Sequence, residues 1–404
     1  MNVDLMRKID YYAGVPLCFL TSLLLKLFPR PKPRRPNRVL LVELSEMGSA
    51  ILVDPAMQKL KRELDAELFF VIFEKNKPSL QLLNTVADEN IFTIRAEGLM
   101  GLAIDTLRFL FWTRRQGIDT VIDLELFSRY TALLTGLSGA TNRVGFHAFH
   151  NEGLYRGNML SHRVAYNPHI HIARNFIALV NALLADGPQI PYSKTVVTDE
   201  EIRLNKAEVS EADISTVQDV IRKHYPDLDP ERHRIVLINA NASDLLPQRR
   251  WDRSRYAQVA RDILGRHQNV LILLTGSKGE AKGLGGLADE VDHERCINFA
   301  GAVGFHQLPA LYSSSLLMIS NDSGPAHFAA VTDMPTFVLF GPETPSLYGS
   351  LGPSTPIYAG LACSPCVSAA NHRKTACTDN VCLQMITPEQ VVGAVEPLLT
   401  SASS

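Results

Sequence analysis

From Arg38 onward, short apolar runs rich in β-branched and aromatic residues alternate with longer stretches of helical character, and that alternation leaves few folds open. Strands buried on both faces of a parallel sheet read as unbroken apolar runs, and a helix returns the chain to the next parallel strand. The first half offers residues 38–44, 68–73 and 120–124 as such strands, and the second offers 234–239, 270–274, 316–320 and 336–340. The expected fold class is α/β, with two Rossmann-like sheets. Length agrees: 404 residues exceed one ordinary core, and 46% hydrophobic with 20% charged residues is the composition of a folded globular chain. Asp186-Gly-Pro-Gln-Ile-Pro-Tyr192 is the turn-rich junction, which divides the chain into a segment 1–36, a domain 37–188 and a domain 189–404. Ligands of open α/β sheets bind beyond the carboxyl ends of the strands, so the expected site lies in a cleft between the domains.

Residues 13–25 are uncharged, but a helix of that length reaches only roughly 20 Å at about 1.5 Å per residue. A hydrocarbon core is ~30 Å thick, so the reading is a membrane-associating helix in the plane of the surface. Lys26, Arg30, Lys32, Arg34, Arg35 and Arg38 follow with no acidic residue among them, and prolines 29, 31, 33 and 36 keep the segment extended toward anionic headgroups. Asp4 and Asp10 dilute any signal-peptide n-region. The net charge of −2 leaves no dominant basic field, so no nucleic-acid partner is expected.

After the strand at 316–320 comes Asn321-Asp322-Ser323-Gly324-Pro325-Ala326-His327 and an apolar helix. Asp322 or Ser323 is placed to cap that helix, whose first-turn N–H groups suit a phosphate. The next strand delivers Phe340-Gly341-Pro342-Glu343-Thr344-Pro345 to the same sheet edge. Together with Arg249-Arg250-Trp251 and Ser45-Glu46-Met47-Gly48, this pattern resembles the family 9 glycosyltransferases, the heptosyltransferase group, from about residue 37 to the C-terminus.

The resemblance implies a GT-B enzyme with the acceptor on the N-terminal half and a nucleotide sugar, an ADP-sugar, on the C-terminal half. It implies inverting transfer, no cofactor or metal for catalysis, and a lipid-linked glycan acceptor such as lipopolysaccharide. The place would be the cytoplasmic face of a bacterial inner membrane, peripheral or monotopic. It puts Asp322, Ser323, Gly324 and His327 around the donor diphosphate and sugar. Arg249 stands at the basic position beside the Trp, with Arg250 as helper, because a guanidinium can meet two oxygens of a departing diphosphate at once. Glu280, in the loop after the strand at 270–274, is a candidate acceptor for a donor hydroxyl. A Rossmann oxidoreductase is disfavoured, since no Gly-x-Gly-x-x-Gly follows a strand.

One position departs from the family. Its members usually carry Asp after the Gly of the first strand-to-helix turn, where this chain has Ser49. Serine at its ordinary pKa cannot take the proton of an attacking hydroxyl. Glu46 is the first substitute, with Glu43 and Asp54 nearby; Asp123 and Glu125, with Arg129 close in sequence, form a second acidic pair or a strand-end salt bridge. Without a base, the fold would bind a nucleotide sugar and not transfer it. His147, His150, His162, His169 and His171 lie among Arg143, Arg156, Arg163 and Arg174, which read either as a seat for an anionic acceptor or as a solvated face. Cys363-x2-Cys366-x10-Cys377-x4-Cys382 has a spacing that permits a structural zinc or two disulfides, and reduced cytoplasmic thiols favour zinc or free thiols. Similar Cys-x-Pro-Cys stretches in relatives imply a decoration away from the chemistry.

Overall fold

In the computed structural model, which describes residues 3–28, 35–44, 46–150, 153–242, 246–368, 371 and 373–401, the alternation resolves into two six-stranded parallel sheets. The first holds β1 (Arg38–Val42), β2 (Glu67–Phe73), β3 (Ile91–Ile94), β4 (Thr120–Asp123), β5 (Asn142–Phe146) and β6 (His162–Val164), in the order β3-β2-β1-β4-β5-β6. The second holds β7 (Arg234–Asn239), β8 (Val270–Leu274), β9 (Cys296–Asn298), β10 (Leu317–Asn321), β11 (Thr336–Phe340) and β12 (Ser354–Tyr358), in the order β12-β11-β10-β7-β8-β9. Counted within each sheet, both follow the doubly wound order, so each has a switch point between its first and fourth strands: β1/β4 and β7/β10. All the apolar runs singled out above are strands. β3, β5, β6, β9 and β12 were not anticipated, because they are short or carry polar residues such as Asn142-Arg143 and Ser354-Thr355.

In the first unit the helices are α1 (Val3–Tyr12), α2 (Gly14–Leu27), α3 (Met47–Leu52), α4 (Asp54–Leu64), α5 (Leu99–Arg115), α6 (Arg129–Leu137) and α7 (Ile172–Leu184). The second sheet is accompanied by α8 (Glu211–His224), α9 (Arg253–Arg266), α10 (Ala281–Val291), α11 (Leu308–Ser313) and α12 (Gly324–Ala329). The chain divides at Arg203/Leu204, past the turn at 186–192. Residues 189–203 stay with the first unit because they are bonded to it: Ala165 N donates to Pro191 O at 2.6 Å, Asn181 to Thr195 at 2.6 Å, and Lys59 to Glu201 at 2.7 Å.

The N-terminal helices are integral to the first unit. Gly14, Cys18 and Thr21 face inward from α2, while Leu17, Phe19, Leu20, Leu23, Leu24 and Leu27 face out. Gly157, at φ +76°, lets the chain pass Cys18 O so closely that a Cβ there would sit 2.8 Å from it. At the start of α6, Asp10 accepts from the backbone N of Arg129 at 2.8 Å and of Tyr130 at 3.1 Å, and pairs with the Arg129 guanidinium at 3.1 Å. A distant carboxylate thus satisfies orphan donors at a helix N-terminus. Among the described residues no helix is long and apolar enough to cross a membrane. Most of the basic linker, residues 29–34, lies outside the described residues.

Candidate active site

At the β7/β10 switch point the second sheet gathers four charged side chains with little access to water. The loop after β7 ends in a 3-10 turn, Pro247–Arg249, and is fastened by Trp251. Trp251 N donates to Asn321 Oδ1 at 3.0 Å, and its indole Nε1 donates to Leu383 O and Ile386 O, each at 3.1 Å. That holds the Arg249 side chain beside the end of β10, with Nη1 3.9 Å from Asp322 and 3.6 Å from Glu343. Arg373 Nε lies 3.0 Å from Glu343 on the other side, its guanidinium 4.6 Å from the centre of the Tyr348 ring. Asp322 is 3% exposed and Glu343 1%.

Two carboxyl groups buried together do not both ionise readily. Burial, and the Asp322 charge beside it, push the Glu343 carboxyl well above the usual carboxylate range; burial also raises Asp322, and Arg249 opposes that rise. Arg249 Nε and Asn321 Nδ2 are buried with no hydrogen-bond partner among the described residues, while the Asp322 and Glu343 carboxyl groups hydrogen-bond each other. Buried polar atoms left unmet are costly, and a polar ligand would meet them.

The other expected donor residues fall into place differently. Ser323 is the residue before α12, but neither it nor Asp322 caps the helix: Ser323 Oγ donates to Asn321 O at 3.3 Å instead. The cap expected from the sequence is absent because the Asp322 side chain is turned toward Arg249. Gly324 has to be small, since a Cβ would meet the Phe328 ring at 2.9 Å. His327 is buried in α12. Arg250 does not face Asp322; its Nε and Nη2 donate to Ala242 O at 2.9 and 2.7 Å and shape the loop. Glu280 accepts from Ser277 N at 2.6 Å, closing a capping box at the start of its own turn.

The cysteine segment is not remote from this cluster, contrary to the expectation. Cys366 N and Val367 N both donate to Pro342 O at 3.0 Å, so the segment wraps the loop that carries Glu343, and it contributes Arg373. The thiols are free, and Cys366, Cys377 and Cys363 all lie near enough to act on the Cys382 thiol; among the described residues no group of three metal-ligating side chains is placed to hold an ion. Cys366 turns to Thr375, Cys377 lies 3.2 Å from Asp379, and Cys382 is buried.

At the β1/β4 switch point the acids are held otherwise. Asp123 pairs with Arg156, which also donates to Ser128 O and Thr131 Oγ1. Burial pushes the Asp123 carboxyl up to about 6, with Arg156 opposing. Glu125 accepts from Leu44 N at 3.1 Å, and Asn76 donates to Leu44 O at 2.8 Å, so the turn after β1 is pinned from two sides. Glu43 is buried. Glu46, half-buried, is extended immediately before α3, and Ser49 lies one turn into that helix. Asp54 is fully buried and accepts from Thr85 Oγ1, with burial raising its pKa. The arginine-rich region is largely structural: Arg143 donates to Met159 O and Ala140 O, Arg174 to Val197 O and Asp199, and His171 caps α7.

Two doubly wound parallel sheets, with a buried arginine–carboxylate cluster at one switch point, define a GT-B-type glycosyltransferase architecture. The chain belongs to glycosyltransferase family 9 (heptosyltransferase), whose family model matches residues 111–376. It is 31% identical over 102 residues to lipopolysaccharide heptosyltransferase 2 of Salmonella typhimurium, a match covering 24% of this chain and 29% of that protein. With lipooligosaccharide heptosyltransferase 2 of Campylobacter jejuni it shares 26% over 175 residues, 41% of this chain and 52% of that one. The chain therefore spans about half or less of the length of these curated relatives. Its fold is similar to that of the E. coli ADP-heptose lipopolysaccharide heptosyltransferase II, with a TM-score of 0.68 at 19% identity, covering 91% of this chain and all of that one.

Proposed function

We propose that this protein is an inverting glycosyltransferase that moves heptose or a related sugar from an ADP-sugar to a lipid-linked surface glycan such as lipopolysaccharide, working at the cytoplasmic face of the bacterial inner membrane. The observation that carries the reading is the buried Arg249–Asp322–Glu343–Arg373 cluster, with its unmet polar atoms at a sheet switch point. Family membership supports it.

In the transfer, an acceptor hydroxyl attacks the anomeric carbon, the bond from that carbon to the diphosphate oxygen breaks, and the diphosphate leaves with the electron pair. Arg249 is the cation that meets the growing charge, and it acts more strongly as the bond lengthens, which is the condition for lowering the barrier. Catalysis needs no metal ion in this reading. Asp322 holds a sugar hydroxyl. The hydroxyl proton goes to Glu46, which stands at the turn where relatives place an aspartate; Ser49, Glu43, Asp54, Asp123 and Glu125 are the weaker acceptor-side candidates, because the last four are buried and Asp54, Asp123 and Glu125 already hold protein groups. Residues 1–36 seat the chain at the membrane surface through the outward face of α2.

The test is a thermal-shift panel of nucleoside diphosphates followed by a transfer assay with ADP-heptose and heptose-deficient lipopolysaccharide. ADP should raise the unfolding temperature and ADP-heptose should be consumed. Stabilisation without consumption would mark a donor-binding protein that has lost the base, and no stabilisation by any nucleotide would overturn the donor assignment.

A further inference from the structure

α5 has apolar residues on two opposite sides. Phe109 is fully buried, and Leu102, Leu110 and Trp112 pack with it against the first sheet. Met100, Ile104, Leu107 and Phe111 are 45 to 75% exposed, and their spacing of four, three and four residues aligns them along the other side of the helix. A water-facing helix would carry polar residues there, and an exposed apolar stripe of this kind marks an interaction surface.

α5 and α2 share α6 as a neighbour. α1, α2 and α5 all pack against α6: Met6 of α1 and Tyr130 of α6 join the cluster of Leu102 and Leu110, Thr106 of α5 lies 2.6 Å from the Tyr130 hydroxyl, and Cys18 of α2 sits over the Arg129 carbonyl. The charges tell which partner fits. The exposed charged side chains described on these three helices are Lys8, Lys26, Arg108, Arg114 and Arg115, all cationic. Of the acids described on these helices, Asp10 caps α6, and Asp105 is buried and bonded to Arg95 at 2.8 Å. Apolar residues rimmed by cations suit a bilayer with anionic headgroups, into which the apolar side chains enter while the long basic side chains reach phosphates.

We propose that α5 is a second lipid-contacting helix, and that its outer stripe and the outer face of α2 form one docking surface for an anionic bilayer. This rests on the membrane reading of residues 1–36 but makes the folded unit, and not the N-terminal segment alone, the membrane seat.

The experiment compares the full chain with two triple variants, Ile104→Ser/Leu107→Ser/Phe111→Ser on α5 and Phe19→Ser/Leu23→Ser/Leu27→Ser on α2, in flotation with vesicles of phosphatidylethanolamine and phosphatidylglycerol or of phosphatidylcholine alone. All six positions are exposed, so folding should survive, and unchanged circular dichroism and ADP-induced stabilisation confirm it. Each variant should lose roughly tenfold or more in partition to the anionic vesicles, and the wild type should bind them more weakly in high salt. Normal partition of the α5 variant with loss in the α2 variant would overturn the role of α5 and leave the N-terminal reading standing. Normal partition of both would overturn the surface altogether. A wild-type dimer that the α5 variant converts to monomer, with vesicle binding unchanged, would make the stripe a self-interface and reject the proposal.

Discussion

The two sheets share one strand order, yet their switch points are finished differently. Around β7/β10, Arg249, Asp322, Glu343 and Arg373 face one another at 3.0 to 3.9 Å, and several of the buried polar atoms there go unmet. Around β1/β4, Asp123 is neutralised by Arg156, and Glu125 and Asn76 lock the turn at Leu44. The second unit therefore leaves buried polar atoms unmet, whereas the first uses its acids to hold a turn in shape. Under the proposed function, the same topology serves one unit as a binding site and the other as a scaffold that presents Glu46.

Substitutions at the two switch points can break that division. The largest effect is expected from Glu46→Gln, which should lower turnover by about a hundredfold to ten-thousandfold, the usual worth of a general base, with donor affinity nearly intact. Retained turnover would move the base elsewhere in the first unit. Arg249→Ala should act on both binding and rate, weakening ADP measured by calorimetry and lowering kcat/KM by roughly a hundredfold. Normal ADP affinity in that variant would sink the phosphate assignment and erase the contrast between the units.

Asp123 sharpens the comparison from the scaffold side. Its carboxyl holds a proton more tightly when folded, up to about 6, so stability should fall as pH rises from the ordinary carboxylate range near 4 to about 6 and then level off. The group's share of that fall is at most about 3 kcal/mol. Asp123→Asn should flatten the slope in urea unfolding between pH 4 and 7 even though Arg156, left unpaired, makes the variant less stable overall. An unchanged slope would show that Asp123 is not the titrating group.

Much of this was legible in the sequence, for a physical reason. Strands buried on both faces must be apolar throughout, so β1, β2, β4, β7, β8, β10 and β11 announce themselves; β12, a half-exposed edge strand, and the three-residue β6 and β9 do not. Arg249 and Asp322 were singled out because they flank strands in a family pattern, and the structure brings them within 3.9 Å of each other. Glu343 stood in the quoted loop but nothing local marks a carboxylate that will be buried between two arginines. Arg373 was out of reach: it arrives from the cysteine segment, whose course over Pro342 is a tertiary fact. The bonds that Arg250 and Glu280 make within their own loops were not legible, because sequence cannot tell a side chain that faces solvent from one that closes its own loop.

The bond from Asp10 to the start of α6 also sets an order of events during synthesis. The two partners are 119 residues apart, so α1 and α2 leave the ribosome well before the helix they dock on exists. At about 5–20 residues per second the wait is roughly 6 to 24 seconds. For that interval the outer face of α2, with Leu20, Leu24 and Leu27, has no protein to cover it or to hold its orientation. Under the proposed membrane seat, the bilayer is then the first solvent the nascent helix can choose, and the rest of the first unit folds onto a segment already lying at the lipid surface.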